Sequence, residues 1–501
     1  MPEPTCSKDR RLLSTWNQVA PRAYIRKGYC FPYHNNTDLE ALETHLSSAL
    51  RQLARHFPQL SGRLSLVSKP AGHVYIDSDG PAEIPLQVVD HRATFSWTYD
   101  QLKTKGFPAR AFVDKSFDLP YQLLQDKEGV PVCEVHARVI EGGLLLCIYC
   151  HHSVCDGSNM DNYIRSFADL TRDSTQALNN RHPSDIHVNL PDEVTNRSYG
   201  NPNPNTFNEL INLCPEYCHL PAPTGPTQFR TQPTGIPIED IQKTGCIFAF
   251  GLYQMKNLKG QIAVMQGAYF GEHGPSTFIC LAAITFAHVT KARLNTGKDF
   301  ISSSAKARPI PEKVRLQVAV NWRHRCFSDI MSSSASNTIA LPITSIDTAT
   351  VLAACTGDRT TATPALAAIA RALNASINSV DEQFIALRTA LIHAAPDPRY
   401  IGTNYDPRDP SAFYFNTWRH HGPPMAWKMP GLPEGEEGAD GVAADAIRRA
   451  TGEWNMMGAA LLLPSARDKS DFEVLVTLDT ESMALLCADP SWKTWVKRII
   501  E

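Results

Sequence analysis

The chain has 501 residues, 43% of them hydrophobic and 20% charged, which is enough for more than one domain with a substantial core. Its 48 basic and 51 acidic side chains leave a net charge of −3, with no broad electrostatic footprint for nucleic acid or an anionic membrane. The first residues hold no signal-like apolar segment, no apolar run reaches the roughly 18 residues of a spanning helix, and thirteen scattered cysteines fit reduced thiols; a cytoplasmic protein is expected.

Taken in chain order, residues 37–57 place Leu39, Leu42, Leu46, Leu50 and Leu53 three or four apart. That spacing predicts a helix with one apolar stripe, and Thr37 with Glu40 offers a capping box at its start. "SLVSKPAGHVYID" alternates like a strand. In "PVCEVHARVI" (131–140) Val135, Ala137 and Val139 alternate with Glu134, His136 and Arg138, the pattern of a half-buried strand. Gly142-Gly143 then turns the chain into the apolar run "LLLCIY", a buried strand that ends in "CHHSVCDG".

Residues 191–240 are rich in Pro, Asn, Thr and Gly and read as a crossover linker, with one short helix at 207–213. Beyond it "GCIFAFG" predicts a buried strand, and "PSTFICLAAITFAHVTKARL" a helix apolar nearly all round. "VRLQVAVNWRHR" alternates into an arginine-rich end. "PALAAIARALNASI" and "DEQFIALRTALIHAA" are helical, "DFEVLVTLD" is a strand and "SMALLCADPSWKTWVKRII" a closing helix. Strands and helices mix in both halves, so the fold class is α/β or α+β in two layers, with an N-terminal domain over 1–190 and a C-terminal domain over 241–501.

The chemistry concentrates in "CHHSVCDG". An imidazole with an ordinary pKa near 6.5 can take a proton from a hydroxyl or amine at neutral pH. Asp156, four residues after His152, is not forced to touch it and can instead anchor the loop through an arginine from elsewhere. Gly157 permits the tight backbone that follows. No G-x-S-x-G element stands nearby to support a serine hydrolase. His151, His152, Cys155 and Asp156, with the Cys147/Cys150 pair, are all metal-ligand types. Side chains on an extended stretch alternate in direction, however, and no second ligand pair stands out, so no metal is expected. Hydrogen-bonded buried histidines are the competing reading of the same residues.

"HHSVCDG" resembles the H-x-x-x-D-G signature of the BAHD acyltransferases, which transfer acyl groups from coenzyme A thioesters. Further landmarks follow in that family's order: "LLSTWNQVAPRAYIRKGYCFPY", "HFPQLSGRL", "STFICLAAITFAHVTKAR", "AVNWRHR" and "FEVLVTLDTESMALLCADPSW". The resemblance covers nearly the whole chain and is closest to fungal secondary-metabolism members. It implies two similar-sized mixed-sheet domains of the chloramphenicol-acetyltransferase-like type with a channel between them. It also implies a monomeric enzyme that binds no permanent cofactor, with acyl-CoA, plausibly acetyl-CoA, as co-substrate. The acceptor would be a hydroxyl or amine of a small natural product.

Carried over by residue, His152 is the general base and Asp156 is structural, paired with Arg323. His151 points the other way. Thr417 and Trp427 are the oxyanion candidates, since a tetrahedral intermediate needs a donor at its new negative charge. Lys306 and Arg308 are candidates for coenzyme A phosphates. The family's D-F-G-W-G signature falls on "PMAWKMP" (424–430), where only Trp427 and Pro430 persist, and Asn17 stands where an aspartate is usual. The changed signature keeps open a condensation-like enzyme with a carrier-protein donor. A cyclase or a binding protein on the same fold is the other alternative.

Overall fold

The computed structural model describes residues 10–66, 71–78, 83–120, 129–172, 189–190, 206–221, 234–270, 274–301, 309–332, 334–422, 425–435, 440–454, 456–464 and 471–501. Lys306, Arg308, Pro424 and most of the 191–240 linker lie outside the described residues.

The N-terminal sheet is built from β1 (Tyr24–Pro32), β2 (Leu86–Asp90), β3 (Cys133–Ile140) and β4 (Gly143–His151). β1 and β3 flank β4 antiparallel, and β2 adds to β3 in parallel. One face carries α1 (Leu39–His56) and α2 (Gly157–Thr171). In α1, Leu42, Leu46, Leu50 and Leu53 are buried, as the stripe requires. Its cap differs from the expected box: Asp38 accepts the Glu40 amide at 3.0 Å, while the Thr37 hydroxyl turns back to the His34 carbonyl. A carboxylate one residue closer to the helix is the stronger acceptor for the orphan amides. "SLVSKPAGHVYID" gives two paired strands, Arg63–Leu66 and Val74–Asp77.

β3 corrects the half-buried expectation: all eight of its residues are buried. The second face of the sheet is covered by a cluster that includes Phe112 and Phe117. There Glu134 meets His136 Nε2 at 2.6 Å and Gln87 Nε2 at 3.1 Å, and the Arg138 guanidinium lies 4.8 Å from the Phe117 ring. Polar residues occupy this buried face because most of their hydrogen bonds are made to one another, although Glu134 Oε2 and Arg138 Nε have no partner among the described residues.

The C-terminal sheet runs in the spatial order β7 (Ile343–Asp347), β6 (Lys313–Val318), β8 (Ala412–Thr417), β10 (Ala459–Leu462), β11 (Asp471–Asp479), β5 (Lys243–Gly251) and β12 (Arg498–Ile500). Helices α3 (Thr277–Asn295), α4 (Arg359–Asn378) and α5 (Glu382–Ala394) belong to the core of this half. Among the described residues α3 is the one helix long and apolar enough to cross a membrane. Most of its side chains are buried in that core, which is why it is apolar all round. The expected closing helix is broken: it stops at Ala488, Pro490 opens a single turn, and the chain ends as β12 beside β5. A proline cannot continue a helix and clashes with the turn before it.

The two cores do not divide at 190/241. β9 (Ala446–Arg448) pairs with β1 and becomes the edge of the N-terminal sheet. Met425, Trp427 and Met429 pack into the N-terminal core, and Trp16 packs into the C-terminal one. The apolar side chains of the C-terminal segment 425–447 find their cover on the first domain.

Candidate active site

His151 closes β4 and His152 is the first residue beyond it. The two rings face different surroundings. His151 is 1% exposed, packs edge-on against Tyr24 with centroids 5.0 Å apart, and accepts the Ser153 amide on Nδ1. Burial lowers its pKa to about 3, so it stays neutral. His152 is partly exposed, and its amide donates to the Ala23 carbonyl at 2.8 Å. Burial also lowers its pKa, opposed in part by its own backbone, Asp156 and Asn337.

Asn337 fixes the state of His152. Its Nδ2 donates to the His152 carbonyl and to Asn17 Oδ1, both at 2.7 Å. Those two partners can only accept there, so the Asn337 amide orientation is set and its Oδ1 must be an acceptor. That oxygen lies 3.2 Å from His152 Nδ1. The proton therefore sits on Nδ1, and Nε2 keeps the lone pair that a base needs.

Asp156 does not touch the imidazole. It caps α2, with Oδ1 accepting the amides of Ser158 and Asn159 at 3.0 Å each. Its Oδ2 accepts from Arg323 Nη2 at 2.7 Å and from the Thr338 hydroxyl at 3.1 Å. Burial pushes this carboxyl up, but Arg323 and the surrounding donors outweigh it and hold the pKa below the usual value. Arg323 also donates to the carbonyls of Ser334 and Ser336, and Asn321 Nδ2 reaches the Ser158 hydroxyl at 3.0 Å. Asn321, Arg323, Ser334, Ser336 and Thr338 come from the C-terminal half, so the loop that carries His152 is clamped across the domain boundary.

Gly157 opens α2, and a Cβ there would sit 2.7 Å from Cε1 of His421. Glycine allows the ring to press on the loop that carries His152. Thr417 ends β8, and the turn that follows carries His421 to this point; the Thr417 Oγ1 accepts the Arg419 amide at 3.1 Å. Trp427 departs from its expected place as an oxyanion donor. It is fully buried in the N-terminal core, with its ring 5.9 Å from Phe31 and 5.4 Å from Phe167, because its apolar surface is worth more there than in a polar site. Among the described residues no group of three His, Cys, Asp or Glu side chains is arranged to hold a metal ion.

Sequence reasoning missed Asn337, Thr338, Asn321 and His421. The one usable signal was Asn17 at a position where the resembled family has an aspartate; it marked the other end of the Asn337 contact.

Residues 23–170 match the family described as the trichothecene 3-O-acetyltransferase-like N-terminal domain. The acyltransferase easC of Emericella nidulans is 26% identical over 178 residues, covering 34% of this chain and 36% of that relative. The trichothecene 8-O-acetyltransferase of Fusarium sporotrichioides is 27% identical over 189 residues, covering 36% of this chain and 37% of its own. The matched stretch thus spans a little over a third of these relatives' length. Among solved structures, TRI101 of F. graminearum, complexed with coenzyme A and T-2 mycotoxin, superposes with a TM-score of 0.73 at 15% identity, covering 98% of this chain and 100% of that one. Vinorine synthase superposes with a TM-score of 0.56 at 16% identity, covering 99% and 95%. The chain therefore has the mixed α/β fold of TRI101 and vinorine synthase, and its residues 23–170 match the trichothecene 3-O-acetyltransferase-like N-terminal domain.

Proposed function

We propose that this chain is an acyl-CoA-dependent O-acyltransferase that acts on a small natural product, with His152 as its general base. The observation that carries the reading is the Asn337–His152 contact, which leaves Nε2 unprotonated beside a clamped Asp156–Arg323 pair. His152 Nε2 takes the acceptor hydroxyl proton as its oxygen attacks the thioester carbonyl. The tetrahedral intermediate places its negative charge on the former carbonyl oxygen, for which the Thr417 hydroxyl is the proposed donor. Collapse breaks the carbon–sulphur bond, and the imidazolium returns its proton to the departing coenzyme A thiolate. The products are an ester and free coenzyme A, with no acyl-enzyme. Acetyl is the proposed acyl group, and the enzyme is proposed to work as a cytoplasmic monomer. The same fold occurs at a TM-score of 0.52 in a polyketide synthase associated protein of Mycobacterium tuberculosis, so the donor must be tested directly.

Thermal shift with acetyl-CoA, longer acyl-CoAs and coenzyme A, on wild type and His152→Ala, makes that test, because a ligand that binds only the folded state raises apparent stability. Both proteins are expected to shift, while only wild type releases coenzyme A at full rate. The absence of a shift with every coenzyme A species would move the assignment to a carrier-protein donor.

A further inference from the structure

Two thiols bracket the histidine pair. Cys150 precedes His151 in β4, and Cys155 precedes Asp156 in the loop. Their sulphurs lie 3.1 Å apart, inside van der Waals contact, and both side chains are buried at 1% and 0% exposure. Cys133 is the cross-strand neighbour of Cys150. The proposed transfer reaction uses none of the three.

We propose that Cys150 and Cys155 form an oxidisable pair that a peroxide closes to a disulfide, switching off His152. One thiol attacks hydrogen peroxide and becomes a sulfenic acid, releasing water. The second thiol displaces that hydroxyl as a second water, and the sulphur–sulphur bond forms. Two electrons pass from the two sulphurs to the peroxide oxygens.

The consequence for the base follows from distance. A disulfide holds its sulphurs at about 2.05 Å, so the pair must close by about 1 Å. Asp156 resists the movement, since Arg323, Thr338 and two helix amides hold its carboxylate. The displacement therefore falls on residues 151–154, and the Asn337 contact with His152, already 3.2 Å long, is the one that yields. A misplacement of about 1 Å in a catalytic group costs on the order of 10²-fold in rate. A hydrogen bond with Cys133 lowers the Cys150 pKa, but Cys155 and burial outweigh it, so the thiol stays protonated and reacts slowly.

The full chain is treated with hydrogen peroxide, alkylated after unfolding, digested with trypsin and mapped by mass spectrometry; coenzyme A release is measured in parallel. Cys147, Cys150 and Cys155 fall in one tryptic peptide, residues 139–165. The expected result is a loss of two hydrogens in that peptide, with Cys150 and Cys155 both protected from alkylation. The transfer rate, which rests on the proposed function, falls about 100-fold and returns with dithiothreitol. Cys150→Ala and Cys155→Ala, each compared with its own untreated rate, show neither change. The mapping stands alone if the chain transfers no acyl group. Alkylation of both thiols under conditions that oxidise the half-exposed Cys218 and Cys487 overturns the proposal. So does a Cys133–Cys150 link, or a Cys150–Cys155 link that leaves the rate unchanged.

Discussion

At His152 burial and one neighbour, Asn337, decide what the ring does. Burial holds it neutral and Asn337 holds its proton on Nδ1, so the acid limb of kcat/KM is expected below the ordinary histidine pKa of about 6.5. Asn337→Asp puts a carboxylate 3.2 Å from that nitrogen and should move the limb upward by about one unit or more, because an opposite charge favours the imidazolium. A pH–rate profile that did not move would remove Asn337 from the base's environment. His152→Ala should lower kcat by roughly 10²–10⁴-fold, read as coenzyme A release. Lys27 poses the opposite problem. Its ammonium is 1% exposed, has no hydrogen-bond partner among the described residues, and lies 5.6 Å from the Trp418 ring. Burial, offset only partly by Asp161, brings its pKa down to about 8. The unfolded chain then binds more protons than the folded one between pH 8 and the ordinary value of about 10.4, so stability rises with pH across that window. Lys27→Met should raise stability at pH 7 by on the order of 2–3 kcal/mol, with a higher melting temperature, and flatten the alkaline rise, as calorimetry at pH 7 and 10 would show. The His152, Asp156 and Arg323 set was legible because two of its members are four residues apart in one motif. Asn337 was not, since it arrives from a serine-rich loop 185 residues away with no periodicity to mark it.

Elements were legible where one rule acted on one face. The leucine stripe of α1 and the all-apolar α3 emerged with the expected faces, because burial follows the 3.6-residue period. β3 misled, since Glu134, His136 and Arg138 pair with one another and with Gln87 and Ser116, so that polarity ceased to report solvent. The C-terminal segment misled through a proline whose consequence was a strand, β12, that only its pairing with β5 makes stable. At the head of α2 the same local logic gives a prediction. Alanine is the better helix former by about 1 kcal/mol, yet at Gly157 its Cβ would meet His421 at 2.7 Å. Gly157→Ala should lower the melting temperature, and adding His421→Ala should recover most of the loss. If the double variant melts no higher than the single one, the ring contact is not what glycine protects.

Among the described residues, the imidazoles of His151 and His421 are pushed furthest below their ordinary pKa. Burial lowers both His151 and His421 to about 3, against roughly 6.5 in an unfolded chain. The unfolded state therefore binds more protons between pH 6.5 and 3, and stability falls as pH drops through that window. Each histidine contributes a slope of about 1.4 kcal/mol per pH unit there. Urea titrations at pH 7, 6 and 5 should show the midpoint falling, and His151→Phe should lessen the fall if that variant folds. A midpoint constant from pH 7 to 5 would show that these rings are not buried neutral.

The strand β9 carries a consequence for synthesis. β1 must wait for its edge partner until the ribosome has added roughly 400 residues, about 20–80 s at ~5–20 residues per second. During that interval the nascent N-terminal half exposes a row of unpaired backbone groups along β1, and the apolar surface that Met425, Trp427 and Met429 will cover stays open. An exposed edge and an uncovered core are what chaperones bind and what aggregates nucleate on. Productive folding is therefore gated by translation of residues 425–448, and nonsense codons that release the chain before residue 446 should yield insoluble product, however complete the HHSVCDG motif upstream.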